Sequence, residues 1–291
     1  MAVVPRGSHV GRSHLFTPPN RRPEDFPSTK VPDTWTLNGA KIASLSHHMM
    51  YEWVRTREQR ERGTASRGNL DRTKEHLRDA FAIECDDRDV WLGLRKPYIR
   101  REISDFLWIM IHGRSQCGTM FSKWGPGWEE LQYCDCGAVE SMEHILVGCD
   151  DAVWRIRLWR RMSDLLRASG MIPEDMCRPP IFEEIMGVGT IKLGNRFATR
   201  LWATIISETA FTVWKLRNRK RFDNTRISSR MAADIWRTSL EKRARTDLAA
   251  AKLRGPSTAP LDRNRQEAVT AWRSLVSVKG GVVAWNSADY G

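Results

Sequence analysis

Apolar residues recur along much of the chain at spacings of three and four, the period of a helix that is buried on one face. This pattern predicts helices at about 40–60, 70–84, 98–113, 150–170, 193–222, 229–254 and 261–275. In the helix at 98–113 the apolar residues cover more than half the circumference, so we expect it to be the central buried helix. They are Ile99, Ile103, Phe106, Leu107, Met110 and Ile111.

Glycine, proline and polar residues separate the predicted helices. GTASRGN (63–69) should interrupt the chain before the helix at 70–84, and VWLGL (90–94) is a short apolar element. CRPPIFEEIMGVGT (177–190) should connect two helices. VSVKGGVVAW (276–285) predicts a short hairpin around two glycines, Gly280 and Gly281, and nothing else in the sequence predicts a strand. The predicted class is therefore mainly α, an irregular helical bundle with a short C-terminal β-hairpin.

Composition suggests four regions along the 291 residues. Residues 1–33 are rich in proline, arginine and serine and should form a disordered tail. An N-terminal helical region is expected at 34–115. A cysteine-bearing segment with the helix behind it is expected at 116–170, and a C-terminal helical region at 171–291.

The charge of the chain suggests an anionic partner. Its formal net charge is +12, and arginine supplies 36 of the 47 basic residues, which favours forked contacts with phosphate. No run of about 18 apolar residues is present, so we expect no membrane span. The N-terminus lacks the apolar stretch of a secretory signal, so we expect an intracellular location, nuclear or cytoplasmic, where cysteines stay reduced.

CDCGAVESMEHILVGC (134–149) concentrates three of the six cysteines and one of the seven histidines. Zinc takes four thiolate or imidazole donors at tetrahedral corners, and Cys134, Cys136, His144 and Cys149 offer such a set. A tight turn at Gly137 and a helix from about Glu140 should bring them together. The sequence therefore predicts a closed Zn²⁺ site in a small zinc-knuckle-like insertion, which would serve folding rather than catalysis.

This run resembles the zinc-binding segment that follows the reverse transcriptase or ribonuclease H modules of non-LTR retrotransposon-like reading frames. Upstream, DFLWIMIHGRSQCGTMFSKWGPGWEELQYC (105–134) is similar to the helix and loop before that segment. Flanking segments of fungal members resemble LNGAKIASLSHHMMYEWV (37–54), RGNLDRTK (67–74) and ISETAFTVWKLRNRKR (206–221). The resemblance implies a zinc-binding, retroelement-derived protein that lacks the catalytic modules.

One feature departs from the family pattern. The family usually has two residues between its first cysteines, whereas one residue separates Cys134 from Cys136, so Tyr133 stands at the first ligand's place. If Cys134 does not reach the metal, Cys117 or His112 can substitute. The alternative to a zinc site is a set of thiols that pack as small hydrophobic groups.

No catalytic constellation is evident, so we expect no enzyme. A ribonuclease H site needs carboxylates that converge on two Mg²⁺ ions, and strands to carry them are not predicted. The acidic cluster at 84–89 contains Asp86, Asp87 and Asp89, which are better explained as helix caps. His47 and His48 are better explained by a surface or packing role than by catalysis.

Two basic stretches are the candidate phosphate contacts for RNA or DNA bound weakly and without sequence preference. Their residues are Arg155, Arg157, Arg160, Arg161, Arg217, Arg219, Lys220 and Arg221. A solvated basic face explains each of them equally well. Most tryptophans should be core residues, Trp154 and Trp214 among them. The alternatives to nucleic-acid binding are a helical scaffold or interaction module and a decayed retroelement fragment without selected function.

Overall fold

The computed structural model describes residues 36–37, 40–41, 44–52, 54, 64–252, 259–279 and 282–286. The chain divides into two units, Met1–Glu61 and Arg62–Gly291. The predicted tail at 1–33 lies outside the described residues, and the predicted boundaries at 115 and 170 fall inside the second unit. The described residues are mainly helical with a short C-terminal hairpin, which confirms the predicted fold class.

The first unit differs from the helix predicted at 40–60. Strand β1 (Thr36–Leu37) pairs antiparallel with β2 (Ala40–Lys41), and a continuous helical run begins only at residue 47. The expectation of no strand outside the C-terminal hairpin was therefore wrong. The overlooked signal is the Asn–Gly dipeptide at 38–39, a strong sequence signal for a two-residue hairpin loop. His47 and His48 are exposed, in agreement with a surface role.

Helix α1 (Thr64–Phe81) begins inside the stretch that was predicted to interrupt the chain. A single glycine in a helix costs only about 1 kcal/mol relative to alanine, so Gly68 does not stop it. Burial of Leu70 and Leu77 stabilises the helix through packing. The helix ends at Phe81 because the next residue, Ala82, takes a left-handed backbone conformation with φ 51°.

The acidic cluster caps the next helix, α2 (Asp87–Leu94), which contains the apolar element at 90–94. The Asp86 carboxylate accepts from the amide of Asp89 at 2.8 Å, and the Asp89 carboxylate accepts from the amide of Asp86 at 3.1 Å. Asp87 pairs with Lys74 at 2.6 Å. These aspartates therefore start a helix and form an ion pair, as the capping interpretation predicted.

The most completely surrounded helix is α6 (Arg196–Phe222), rather than the helix at 98–113. The latter, α3 (Arg101–Ile111), buries one face but exposes Trp108 and Ile109. The helices packed around α6 are α3, α4 (Val153–Ala168), α5 (Phe182–Met186), α7 (Ser229–Ala250) and α8 (Ala259–Arg273). Periodicity understated the burial of α6 because many of its buried residues are threonine, serine or charged.

The charged residues buried on α6 have partners. Glu208 accepts from Arg100 Nε at 2.7 Å and from the Ser239 hydroxyl at 3.2 Å. Arg200 lies 3.7 Å from Asp247 in an ion pair. Burying a charge is tolerable when it is paired and hydrogen-bonded, so these contacts let a polar helix occupy the core.

The C-terminal elements follow the sequence prediction. Ser228 caps α7 by accepting from the amide of Met231 at 3.1 Å. After α8, strand β3 (Val276–Lys279) pairs antiparallel with β4 (Val282–Trp285), while Gly280 and Gly281 lie outside the described residues. Trp285 Nε1 donates to Glu241 at 2.9 Å and attaches the hairpin to α7. Among the described helices, none has the length and apolar character needed to cross a membrane.

Candidate metal centre

The first two cysteines lie in a tight turn. The amide of Cys134 donates to the carbonyl of Ala138, and the amide of Gly137 donates back to the carbonyl of Cys134, both at 2.8 Å. Gly137 has a φ of 84°, a left-handed conformation that glycine adopts without strain. The turn places Cys134 and Cys136 on one side, as the sequence predicted.

A short helical segment brings in the other two donors. It begins at Met142, two positions after the predicted start, because the Ser141 hydroxyl caps it by accepting from the amide of His144 at 3.0 Å. The segment widens into a π-helical turn, His144–Gly148. This turn ends with a 2.9 Å hydrogen bond from the amide of Cys149 to the carbonyl of His144, which brings the two side chains to one side.

The four donor atoms form one compact group and lie within 4.8 Å of one another. Cys134 Sγ lies 3.7 Å from Cys149 Sγ, and Cys136 Sγ lies 3.4 Å from His144 Nε2. Zinc bond lengths and a tetrahedral angle give edges of about 3.8 Å between two sulfurs and about 3.6 Å between sulfur and nitrogen. These two distances are close to such edges, and all four donor atoms lie within 4.8 Å of one another, so the cluster could hold a metal ion after a small contraction.

The short spacing of the first cysteines does not keep Cys134 from the cluster. Neither proposed substitute belongs to it. His112 packs against the ring of Trp108, with 3.9 Å between ring centroids, and Cys117 packs beside the hydrophobic core. The four residues predicted from sequence are therefore the ones that the fold brings together.

The thiols differ in their protonation chemistry. Burial raises the pKa of the Cys134 thiol to about 12, whereas the backbone amide of Ala138 lowers the pKa of the exposed Cys136 thiol. Cys136 is thus the easier of these two thiols to ionise. Because metal binding requires thiolates, affinity should rise with pH as protons leave the donors.

Arg155 supports residues 130–149, which we call the metal segment, instead of facing solvent. Its side chain is buried, and its guanidinium donates to the carbonyls of His144, at 3.0 Å, and Cys149. The guanidinium therefore has little surface left for the phosphate contact that the sequence predicted. Its position on the inner face of α4 directs it to the π-helical turn, where it adds a second hydrogen bond to the carbonyl of His144, which also accepts from the amide of Cys149.

Arg217 also points inward. It forms a buried ion pair with Glu140, which lies two residues before the short helical segment, and it donates to the carbonyl of Gln116 at 3.4 Å. Burial in this pair leaves Arg217 little exposed surface for the phosphate contact that the sequence predicted. The pair connects the metal segment to α6.

Two further basic residues at the end of α6 bind the same segment. Lys220 Nζ lies 2.5 Å from an Asp135 carboxylate oxygen, and Arg221 donates to the carbonyls of Glu130, at 3.2 Å, and Tyr133. Lys220 remains partly exposed, whereas most of the Arg221 side chain is buried. Both predicted phosphate contacts therefore already have intramolecular partners, and Arg221 has little surface left for another.

Besides Lys220, four of the predicted basic residues are exposed: Arg157, Arg160, Arg161 and Arg219. Arg157 donates to the Ser229 hydroxyl at 3.5 Å, and the others form no ion pair within the described part of the chain. Charged groups that face solvent are free to meet an anionic partner. They are the part of the predicted surface that the fold leaves available.

A cleft of about 700 Å³ opens between the metal segment, the end of α6 and the start of α7. Three of the four candidate ligands, Cys134, His144 and Cys149, line it. Small molecules can therefore reach the donor atoms without unfolding of the helical bundle.

Fewer of the described tryptophans are fully buried in the core, and more are exposed, than the sequence suggested. Trp154 and Trp214 pack against the core, as predicted, but each is only half-buried. Trp108, Trp124 and Trp128 are exposed, and this was missed. A usable signal for the last two was their setting in SKWGPGWEE (122–130), a polar stretch without helical periodicity.

No protein-family model, curated protein or solved structure matches this chain. The resemblance of residues 105–149 to a zinc-binding segment therefore has no support from a matched relative. Function has to be inferred from the metal centre and the charged surface.

Proposed function

We propose that this chain is a non-catalytic, zinc-stabilised helical module that binds RNA or DNA weakly and without sequence preference. The observation that carries the proposal is the Cys134–Cys136–His144–Cys149 cluster, whose donor atoms lie within 4.8 Å of one another. Three thiolates and one imidazole favour zinc over the harder cations, which prefer oxygen ligands. The retroelement origin is part of the proposal and rests on the resemblance of residues 105–149.

The metal would have a structural role. Four protein donors complete a tetrahedral shell and leave no position for a reacting water. The site would tie the turn at Cys134 and Cys136 to the helical segment that carries His144. The free energy of metal binding would then contribute directly to folding of this segment. A reducing intracellular compartment, as expected from the sequence, would keep the thiols available.

The nucleic-acid part rests on the exposed arginines. Arg157, Arg160 and Arg161 lie on the outer side of α4, directly after the metal segment, and the chain carries a net charge of +12. Phosphate contacts of this kind release counterions, so affinity should fall with salt at a log–log slope of about −0.7 per contact on single strands.

Metal content tests the first half of the proposal. Protein purified without chelator should contain close to one zinc per chain by elemental analysis, and His144→Asn should lose most of it. The matched control is Cys85→Ser, which removes a thiol outside the cluster. Full-length protein that is free of metal and equally stable would disprove the zinc centre.

Salt-dependent binding tests the second half. Alanine at Arg157, Arg160 and Arg161 together should flatten the salt slope for a labelled oligonucleotide by about 2, the sum of three contacts. The charge-matched control replaces three exposed arginines on or beside α1 and α2, which are Arg78, Arg88 and Arg95. Equal slopes in the two triple variants would mean that only net charge matters.

A helical scaffold is the second candidate. The intramolecular use of Arg155, Arg217 and Arg221 favours it, because these cations stabilise the fold and are largely withdrawn from solvent. Failure of the wild-type protein to bind any oligonucleotide at about 50 mM salt, where such contacts are strong, would favour the scaffold.

A further inference from the structure

Three exposed aromatic side chains lie together beside the metal segment. Trp124, Trp128 and Phe222 keep 44%, 41% and 49% of their surface exposed. Each contacts the buried ring of Phe121, with centroid distances of 5.2, 6.3 and 6.2 Å. Trp124 also meets Trp128 edge to face at 5.1 Å. These four residues form one aromatic patch, and exposed aromatic groups that cluster in this way mark interaction sites.

The fold positions the aromatic patch in advance. Trp124 ends one 3₁₀ helix (Gly118–Trp124), which packs against a second one (Glu129–Gln132) that starts directly after Trp128. Arg221 holds the second helix to the end of α6 through the carbonyl of Glu130. Rings fixed in this way lose little conformational freedom when a partner binds.

Cations flank the aromatic patch. Lys123 precedes Trp124 and is exposed, and Arg219 is exposed one helical turn before Phe222, on the same face of α6. Within the described residues neither cation forms an ion pair. The exposed acids Glu129 and Glu130 follow Trp128 and nearly balance the local charge. Affinity at the patch should therefore come mainly from its ring faces, while the net charge of +12 attracts polyanions from a distance.

We propose that the aromatic patch is a stacking platform for unpaired bases of single-stranded nucleic acid. Trp124, Trp128 and Phe222 would offer ring faces to successive bases, and Lys123 and Arg219 would contact the neighbouring phosphates. Every base has a π face, so such a platform tolerates any sequence, and a regular duplex does not offer its base faces. This inference rests on the proposed nucleic-acid binding. It specifies single-stranded nucleic acid as the ligand and adds a second binding surface to the exposed arginines of α4.

Substitution of the tryptophans tests the platform in the full-length, zinc-loaded protein. The probes are a labelled oligothymidylate and a labelled DNA duplex, each titrated at several salt concentrations. Leucine at both Trp124 and Trp128 keeps apolar bulk but removes the rings, and it should weaken oligothymidylate binding by about tenfold per ring, with little effect on the duplex. The salt slope should stay unchanged because no cation is lost.

Two matched controls separate stacking from apolar contact. Phenylalanine at Trp124 and Trp128 keeps ring faces and should retain most of the affinity. Leucine at Trp108, which is 49% exposed on α3 outside the patch, should change nothing. If the double leucine variant melts early or loses zinc, the single variant Phe222→Leu, which removes an exposed ring, carries the same test.

The outcomes distinguish the platform from the function on which it rests. Unchanged oligothymidylate affinity in the leucine variants, with a flattened slope in the Arg157, Arg160 and Arg161 triple variant, would overturn the platform and leave nucleic-acid binding in place. Absence of any binding by the wild-type protein would overturn both. If the wild type is a dimer and the leucine variant a monomer, the patch joins two copies of this chain, which also overturns the platform.

Discussion

Replacement of Arg217 by alanine should destabilise the protein strongly. The side chains of Arg217 and Glu140 are 7% and 5% exposed, and the two form an ion pair. Arg217 also donates to Asn218 Oδ1 at 3.0 Å and lies 5.4 Å from the ring centroid of Trp214. Its removal would leave the Glu140 carboxylate buried beside the metal segment without its cation.

The expected loss follows from this uncompensated charge. Removal of one member of a buried pair costs about 3–5 kcal/mol. For a domain of this size each kcal/mol lowers the melting temperature by roughly 2–4 °C, so we expect a decrease on the order of 10 °C. Thermal unfolding followed by circular dichroism measures it. The control is Arg219→Ala, an exposed arginine two positions along the same helix, which should shift melting by little.

A double-mutant cycle identifies the cause. Glu140→Gln combined with Arg217→Met removes both charges, so the double variant should lose much less stability than the sum of the two single variants. Equal melting temperatures for Arg217→Ala and Arg219→Ala would refute this reasoning. A flattened salt slope in Arg217→Ala alone would then restore Arg217 as a phosphate contact.

Three other predictions follow from the structure. Chelation of the metal should lower the melting temperature of wild-type protein but leave that of His144→Asn unchanged, because the variant holds little metal; an equal response of both proteins would contradict the zinc centre. Neither Mg²⁺ nor Mn²⁺ should support cleavage of an RNA–DNA hybrid, and cleavage that is lost in Asp86→Asn would show that the acidic cap is a metal site. Burial raises the pKa of Cys117 to about 11, so its alkylation, measured by peptide mass spectrometry, should be slow at neutral pH and should accelerate up to that value. The folded protein keeps this thiol protonated to a higher pH than the unfolded chain, in which the pKa is 9.0. The free energy of unfolding should therefore decrease as the pH rises from 9.0 to about 11.

Periodicity predicted the long helices well because each buries an apolar stripe. It failed where local chemistry or packing overrode the pattern. At residues 36–41 the Asn–Gly signal competes with the apolar spacing that follows, and the break predicted at 63–69 is helical from Thr64 onwards because Gly68 alone does not stop the helix. The burial of α6 was understated because pairs such as Glu208 with Arg100 replace apolar contacts in its core.

The Cys–His cluster was predictable because its four residues lie close together in sequence, and a turn with one short helix suffices to assemble them. The basic surface was less predictable because its residues meet partners far along the chain. Arg217 pairs with Glu140, 77 positions away, and Arg221 contacts the carbonyl of Tyr133, 88 positions away. The sign of a charge can be read from the sequence, but its partner is set by tertiary contacts.

The period of α6 explains how one basic stretch serves two purposes. Arg217 and Arg221 are four residues apart and therefore share a face, and this face meets the metal segment. Arg219 lies between them on the opposite side and stays exposed. Arg217 and Arg221 can hold the metal segment against α6 only while that segment keeps its shape. Loss of the metal should therefore loosen the ion pair between Arg217 and Glu140 and expose the C-terminal end of α6. Metal binding at the cluster and the outward surface would then be coupled through the same turns of α6, although that helix contributes none of the four candidate ligands.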